Sequence, residues 1–203
     1  MDPEDPFTVY CEMQEGRVWR VNIKTGTRYT LRPPGENLKF NWKTPFTLSP
    51  HNSRIFYYAG NYAFRSLNRG ENLKKISPKL GRTDRGTATA IAESHQQPGV
   101  LWIGTDDGAL WLSRNGGGNW EDLSKKFDFP KPLHVSSIEA SRFADGRVYV
   151  AFDGHRSDSD APQIFATEDF GKTWRSIKAN LPTGSTRCLR EDAVSYTHLT
   201  LPT

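Results

Sequence analysis

The sequence predicts an all-β chain, a β-propeller segment of about four four-stranded antiparallel blades with the first one incomplete. Three observations carry this. The octet "TEDFGKTW" (167–174) has two relatives, "SRNGGGNW" (113–120) and "SLNRGENL" (66–73). A β-rich dipeptide returns at Val9-Tyr10, Ile55-Phe56, Leu101-Trp102 and Val148-Tyr149, at steps of 46, 46 and 47 residues. Similar apolar-small segments, "FTLSP" (46–50), "AIAES" (90–94) and "SIEAS" (137–141), precede the last three dipeptides. A period of ~40–50 residues holding four short strands is the signature of a propeller, whose sheets bury their two apolar faces by stacking.

The units follow in order. The first (about 5–31) supplies the last three strands of a blade, "TVYCEM", "RVWRVN" and "RYTLRP". The second covers 44–78. The third, 87–126, shows all four strands most plainly as "TAIAES", "VLWIGT", "ALWLSR" and "NWEDLS". Strands of about five or six residues with turn signals between them fit an antiparallel sheet. The fourth unit, 135–180, carries an extra loop, "DGHRSDSDAPQ" (153–163), between its second and third strands. That insertion stretches the step between octets from 47 to 54 residues.

Residues 1–193 are thus expected to form one partial propeller, an open arc of a larger ring whose remaining blades are its first partners. The last ten residues, "VSYTHLTLPT" (194–203), resemble the in-frame translation of a transposase-type sequencing adapter. They are expected to be a non-native tail and carry no functional reading.

Composition narrows the class further. With 17 glycines, 13 prolines and 12% aromatic residues the chain is turn-rich. No apolar run approaches the ~20 residues of a membrane span. The net charge is +4, and the densest basic stretch, Lys74 to Arg85, lacks the interleaved aromatics of a single-strand platform and any DNA-reading pattern. Nucleic acid is therefore not an expected partner. Cys11 and Cys188 have no metal-type spacing, and zinc signatures, P-loops and nucleophile elbows are absent.

Glu168 and Asp169 beside Trp174 look at first like the carboxylate pair of a glycoside-cleaving site. The repeat argues otherwise. Glu168 is exchanged for Arg114 and Leu67 in the other copies, as a repeated catalytic acid would not be. Asp169, Asn115 and Asn68 place a short polar side chain where it bonds backbone N–H groups two residues on. Gly171, Gly117 and Gly70 stand where the chain needs positive φ. Thr167, Ser113 and Ser66 can close the hairpin with a hydroxyl, Thr173 fills the seventh position, and Trp174 and Trp120 are expected to pack between blades, with Leu73 doing so less fully.

These octets are identified as the Asp-box, or BNR repeat, of sialidases and related propellers. The third copy matches fully, the second with Asn for Asp, the first with Leu for Trp. Over roughly residues 2–190 the phrases "FNWKTPFTLSPHNSRIFYYAGNYAFRSLNRGENLKKISP" and "VYVAFDGHRSDSDAPQIFATEDFGKTWRSIKANLP" resemble large bacterial BNR proteins grouped with the sortilin/Vps10 N-terminal propeller. Those proteins are often labelled glycosyl hydrolase by repeat alone. The resemblance implies an exported protein, extracellular or periplasmic. In sortilins the propeller is a ligand-binding ring and not an enzyme.

In a four-stranded meander the octet turns share one face with the first–second turns. The second–third loops and inter-blade links share the other, where propeller ligands usually bind. That face offers Asn41, Trp42, Asn61, Asp106, Asp107, Asp153, His155 and Arg156 as ligand-binding candidates, with Lys43, Arg82, Asp84, Arg85 and His134 on the links. Asp153, Asp158 and Asp160 cluster oxygens that suit a hard cation such as calcium, although the spacing fits no EF-hand loop and a solvated insertion explains them too. "DDG" at 106–108 reads first as a type I′ hairpin turn and second as the seat of a catalytic acid. Neither the arginine cluster with tyrosine and glutamate of sialidases nor the paired aspartates of xyloglucanase-type propellers can be assigned to local motifs. The leading expectation is a non-catalytic ligand-binding or scaffolding propeller segment that takes a peptide, protein or carbohydrate and needs no cofactor. The alternative is a glycoside hydrolase whose catalytic residues lie mostly outside this chain.

Overall fold

The computed structural model describes residues 1–192 and the backbone of 199–200. Strands β1 (Thr8–Glu12), β2 (Val18–Asn22) and β3 (Arg28–Leu31) form a three-stranded antiparallel sheet. Three four-stranded meanders follow. The first holds β4 (Phe46–Leu48), β5 (Phe56–Ala59), β6 (Ala63–Ser66) and β7 (Lys74–Lys75). The next holds β8 (Ala88–Glu93), β9 (Leu101–Thr105), β10 (Leu110–Ser113) and β11 (Glu121–Asp122). The last holds β12 (His134–Ala140), β13 (Val148–Asp153), β14 (Gln163–Thr167) and β15 (Arg175–Ser176). A short ladder pairs β16 (Arg190–Glu191) with β17 (Leu199–Thr200). The adapter-like tail otherwise lies outside the described residues. Among the described residues no helix is long and apolar enough to cross a membrane.

The core sits between the sheets. Tyr10, Val18 and Leu31 of the first sheet meet Phe56, Tyr58 and Phe64 of the second. Ala59, Ala63 and Leu80 meet Ala88 and Ile103. Trp102, Leu110, Leu112 and Leu123 meet Ile138, Val148, Val150 and Phe152. Tyr149, Ala151, Ile164 and Ala166 close over Leu189. Successive strand residues point to opposite faces, so Tyr58 faces the preceding sheet while Tyr57 faces the following one. That is why the second strands, "FYYA", "LWIGT" and "VYVAFD", are almost continuously apolar and buried. Both of their faces are covered.

The outermost strands depart from expectation. β7, β11 and β15 are two residues long and exposed, where "NWEDLS" predicts a longer strand. In the third unit the ladder ends after Leu123, whose N–H still donates to Leu110 O: the Leu110 N–H goes to Ser124 Oγ at 3.1 Å, and a short 3-10 turn follows at Ser124–Lys126.

Two tyrosine–glutamate pairs cross between sheets. Tyr57 Oη donates to Glu93 Oε1 at 3.0 Å, and Tyr149 Oη to Glu191 Oε1 at 3.4 Å. Burial, then the neighbouring glutamate, pushes both phenols above their usual 10.0. The two pairs differ at the second carboxylate oxygen. Glu191 Oε2 accepts the Arg142 N–H at 2.7 Å, whereas Glu93 Oε2 is buried without a hydrogen-bond partner. Ser49 and Ser141 make the same backbone bond in their hairpins, to Ile55 O and Arg147 O, so Pro50 stands where Arg142 does. Proline has no N–H to give.

Candidate ligand-binding face

The octet turns are built alike at their centre. Ser113 Oγ accepts the N–H of Asn115 at 3.5 Å and of Gly117 at 2.9 Å, and Thr167 Oγ1 accepts those of Asp169 at 3.3 Å and Gly171 at 2.9 Å. Ser66 Oγ does the same for Asn68 and Gly70. The Asx side chain reaches four residues on, not two: Asn115 Oδ1 accepts Asn119 N–H at 2.8 Å, and Asp169 Oδ1 accepts Thr173 N–H at 2.9 Å. The Thr173 hydroxyl adds a bond to Asp169 Oδ2, and these donors hold the Asp169 carboxyl down at about 2. In the first copy Asn68 turns to Arg54 and Glu71 instead, where Asn72 is left-handed at φ 51°.

Each octet also grips the sheet before it. A Cβ on Gly70 would meet Leu31 at 2.5 Å, on Gly117 Ile76 at 2.7 Å, and on Gly171 Leu123 at 2.7 Å. Trp120 Nε1 donates to Ile76 O at 2.6 Å, and Trp174 packs edge-on against Trp102 with centroids 6.2 Å apart. Glu168 bonds Arg147 Nε at 2.7 Å on the surface and lies near Arg175. It meets no second carboxylate in these contacts.

On the opposite side several expected site residues brace loops. Asn61 Oδ1 accepts Lys39 N–H and its amide donates to Asn37 O, so the side chain holds the first inter-sheet link. Asp106 accepts Thr87 N–H at 2.8 Å, Thr87 Oγ1 at 3.0 Å and Asn41 Nδ2 at 3.0 Å. Asp107 accepts Thr83 N–H at 2.7 Å, Thr83 Oγ1 at 3.0 Å and Thr105 Oγ1 at 2.6 Å. The "DDG" turn is not type I′, because only Gly108 has positive φ (82°) there. Its two aspartates are not among the residues of positive φ, and Thr105 closes it, as in the longer hairpins that end on a left-handed glycine. Asp106→Ala would leave the N–H and the hydroxyl of buried Thr87 without their acceptors and the Asn41 amide with Thr87 Oγ1 alone. It is expected to cost about 2–4 kcal/mol, read as a lower urea midpoint.

The other candidates converge. A cavity of about 270 Å³ is lined by Asn41, Lys43, His134, Asp153, His155, Arg156 and Arg187, with Thr89 and Ser136 at its base. Thr89 and Ser136 stand at β-bulges, where the register of β8 and β12 slips by one residue. Their hydroxyls donate to Val135 O and Thr186 O of the next inner segment. Asp153 Oδ1 accepts His155 N–H, and Asp153 Oδ2 lies 3.6 Å from Arg187 Nε. Asp158 lies near Lys131 and Asp160 near His155, so the three insertion carboxylates are spread over separate partners. Among the described residues no three His, Cys, Asp or Glu side chains gather as a metal site would require. Trp42 stands 68% exposed beside Lys43. Arg187 escapes sequence reasoning because it lies beyond the fourth unit; its only signal is the inner-strand pattern recurring at Leu189–Glu191.

A second cavity of about 370 Å³ shares Lys43, Thr89, Ser136 and Arg187 with the first and continues along the inner strands to Glu12, Phe46 and Arg190. Together they make a trough running down the inner edge.

His134 is a half-buried titratable group of this face. Burial lowers its pKa from 6.5, Asp153 and Asp106 raise it, and Arg156 lowers it. His95 shifts down as well, through burial, Arg142 and His51. For both, the unfolded chain binds the proton more readily than the folded one. Stability is therefore full above pH 6.5 and lost as pH falls from 6.5 through the lower folded values. A urea midpoint followed from about pH 7.5 to 5 should drop, and His134→Gln should flatten the drop.

No family model and no curated protein matches the chain. Solved structures do. An ancestral GH74 enzyme aligns with a TM-score of 0.73 at 14% identity, over 97% of this chain and 27% of that one. The GH74 xyloglucanase from Xanthomonas campestris gives 0.67 at 15% identity, over 95% and 32%. YCF48 bound to D1 peptide gives 0.56 at 12% identity, over 94% and 48%. The fold is that of a β-propeller. The chain spans about a quarter to a half of the length of these proteins, and at such identities the likeness concerns the fold alone.

Proposed function

We propose that the chain is a non-catalytic, ligand-binding segment of a larger exported propeller protein, with the octets acting as Asp-box locks and the trough as the binding surface. The observation that carries this is the commitment of Asp106 and Asp107. Each accepts three hydrogen bonds, all from the adjoining links save that of Thr105 to Asp107 within its own hairpin, so these carboxylates work as braces. A glycosidase needs two carboxyls facing each other across the substrate, roughly 5–10 Å apart. The first cavity instead gathers Lys43, Arg156 and Arg187 around the single carboxylate of Asp153. The existence of both GH74 enzymes and a peptide-bound propeller on this fold is compatible with either function, and the lining favours binding.

The test is to screen the chain against peptide and glycan panels, and in parallel to assay reducing-sugar release from xyloglucan and other β-glucans. Binding without product release is expected, weakened by substitution at Lys43. Product release that disappears with Asp153→Asn would sink the reading in favour of hydrolysis.

A further inference from the structure

The trough has a charge pattern that specifies more than binding. Arg156 stands at the outer cavity, Lys43 and Arg187 at the junction of the two, and Arg190 at the inner one. Lys43 and Arg156 are exposed and form no hydrogen bond or ion pair within the described chain. Unpaired cations held around a concave surface are poised for an anionic partner, and spaced cations suit a linear one. The lining holds one carbocyclic aromatic ring, Phe46, where a sugar chain would call for stacking platforms along its length. The inner strands β4, β8 and β12 are the edge strands of their sheets, so their backbone can bond an extended main chain.

We propose that this trough binds an acidic peptide segment in extended form, its carboxylates set against Arg156, Lys43 and Arg187. The inference rests on the ligand-binding reading above and names the ligand class for that same surface. Arg156 and Arg187 offer planar forks that match carboxylates, Lys43 a mobile point charge between them.

The experiment is fluorescence anisotropy on the full chain with a labelled, end-capped hexaglutamate peptide, using hexaglutamine and a uronic-acid oligosaccharide as competitors. Hexaglutamate should bind and weaken steeply with salt, and neither competitor should displace it. Lys43→Ala and Arg156→Ala should each weaken binding by about ten-fold, while Arg114→Ala, on the octet side, should leave it unchanged. Both trough residues are exposed, so these variants should keep the parent's thermal midpoint. Equal binding of hexaglutamine, tighter binding of the uronate, or indifference to both trough substitutions would overturn the proposal. If a neutral ligand from the panel binds through Lys43 or Asn41 and hexaglutamate does not, the acidic-peptide inference fails while ligand binding stands. If no ligand depends on the trough, both fail.

Discussion

Trp102→Ala should destabilise the chain by about 3–5 kcal/mol, measured as a fall in the urea midpoint. Trp102 is 0% exposed and is the largest fully buried side chain. It projects from β9 toward the following sheet, into the cluster that holds Leu110, Leu112, Val148 and Phe152. The Trp174 ring meets it at 88°. Removing the indole would open a cavity in the cluster that the last two sheets share, so the loss should be cooperative over both. A cost below about 1 kcal/mol would mean that the two sheets collapse to refill the space, against the close packing inferred here.

Gly171→Ala should cost about 2–4 kcal/mol by two additive routes. The residue sits at φ 78°, where an L side chain is strained. Its new Cβ would also meet Leu123 at 2.7 Å and Trp102 at 3.3 Å. Leu123 is itself buried and cannot swing away cheaply. Because Gly171 and Trp102 touch, the double variant should be less destabilised than the sum of the two singles, as expected when one site relieves the crowding at the other. Additivity in the measured midpoints would show that the octet does not press on the preceding sheet.

The octet illustrates how far local chemistry carries. Its glycine, its hydroxyl and its Asx position are readable from one segment because each acts on a backbone group within four residues. The left-handed residue before that glycine was not readable. Phe170 at φ 59° and Arg69 at φ 53° carry a Cβ in that region, while the middle copy has Gly116 there. Only the pull of the turn on the neighbouring sheet fixes it. The tryptophans were legible as inter-sheet contacts, but their partners, Ile76 for one and Trp102 for the other, needed the stacked structure.

The same division runs through the candidate site. Asp106 and Asp107 look alike in sequence as a turn or an acid. The structure assigns them to Thr87 and Thr83, brought alongside by the β8–β9 pairing, and to Asn41 of the preceding link, which arrives only when the sheets stack. Asn61 moves from candidate contact to buried brace for the same reason. Lys43, His134, Asp153 and Arg187 come together from a link, a strand start, a strand end and the segment beyond the last full sheet. No local pattern joins them.

By itself the sequence determined the repeat, the four-stranded unit and the turn that closes each blade. These follow from periodicity and from side chains that bond their own backbone nearby. Tertiary structure alone decided which polar groups brace loops and which face the trough. That choice depends on distances between segments 19 to 65 residues apart, set by strand pairing and by sheets packing face to face.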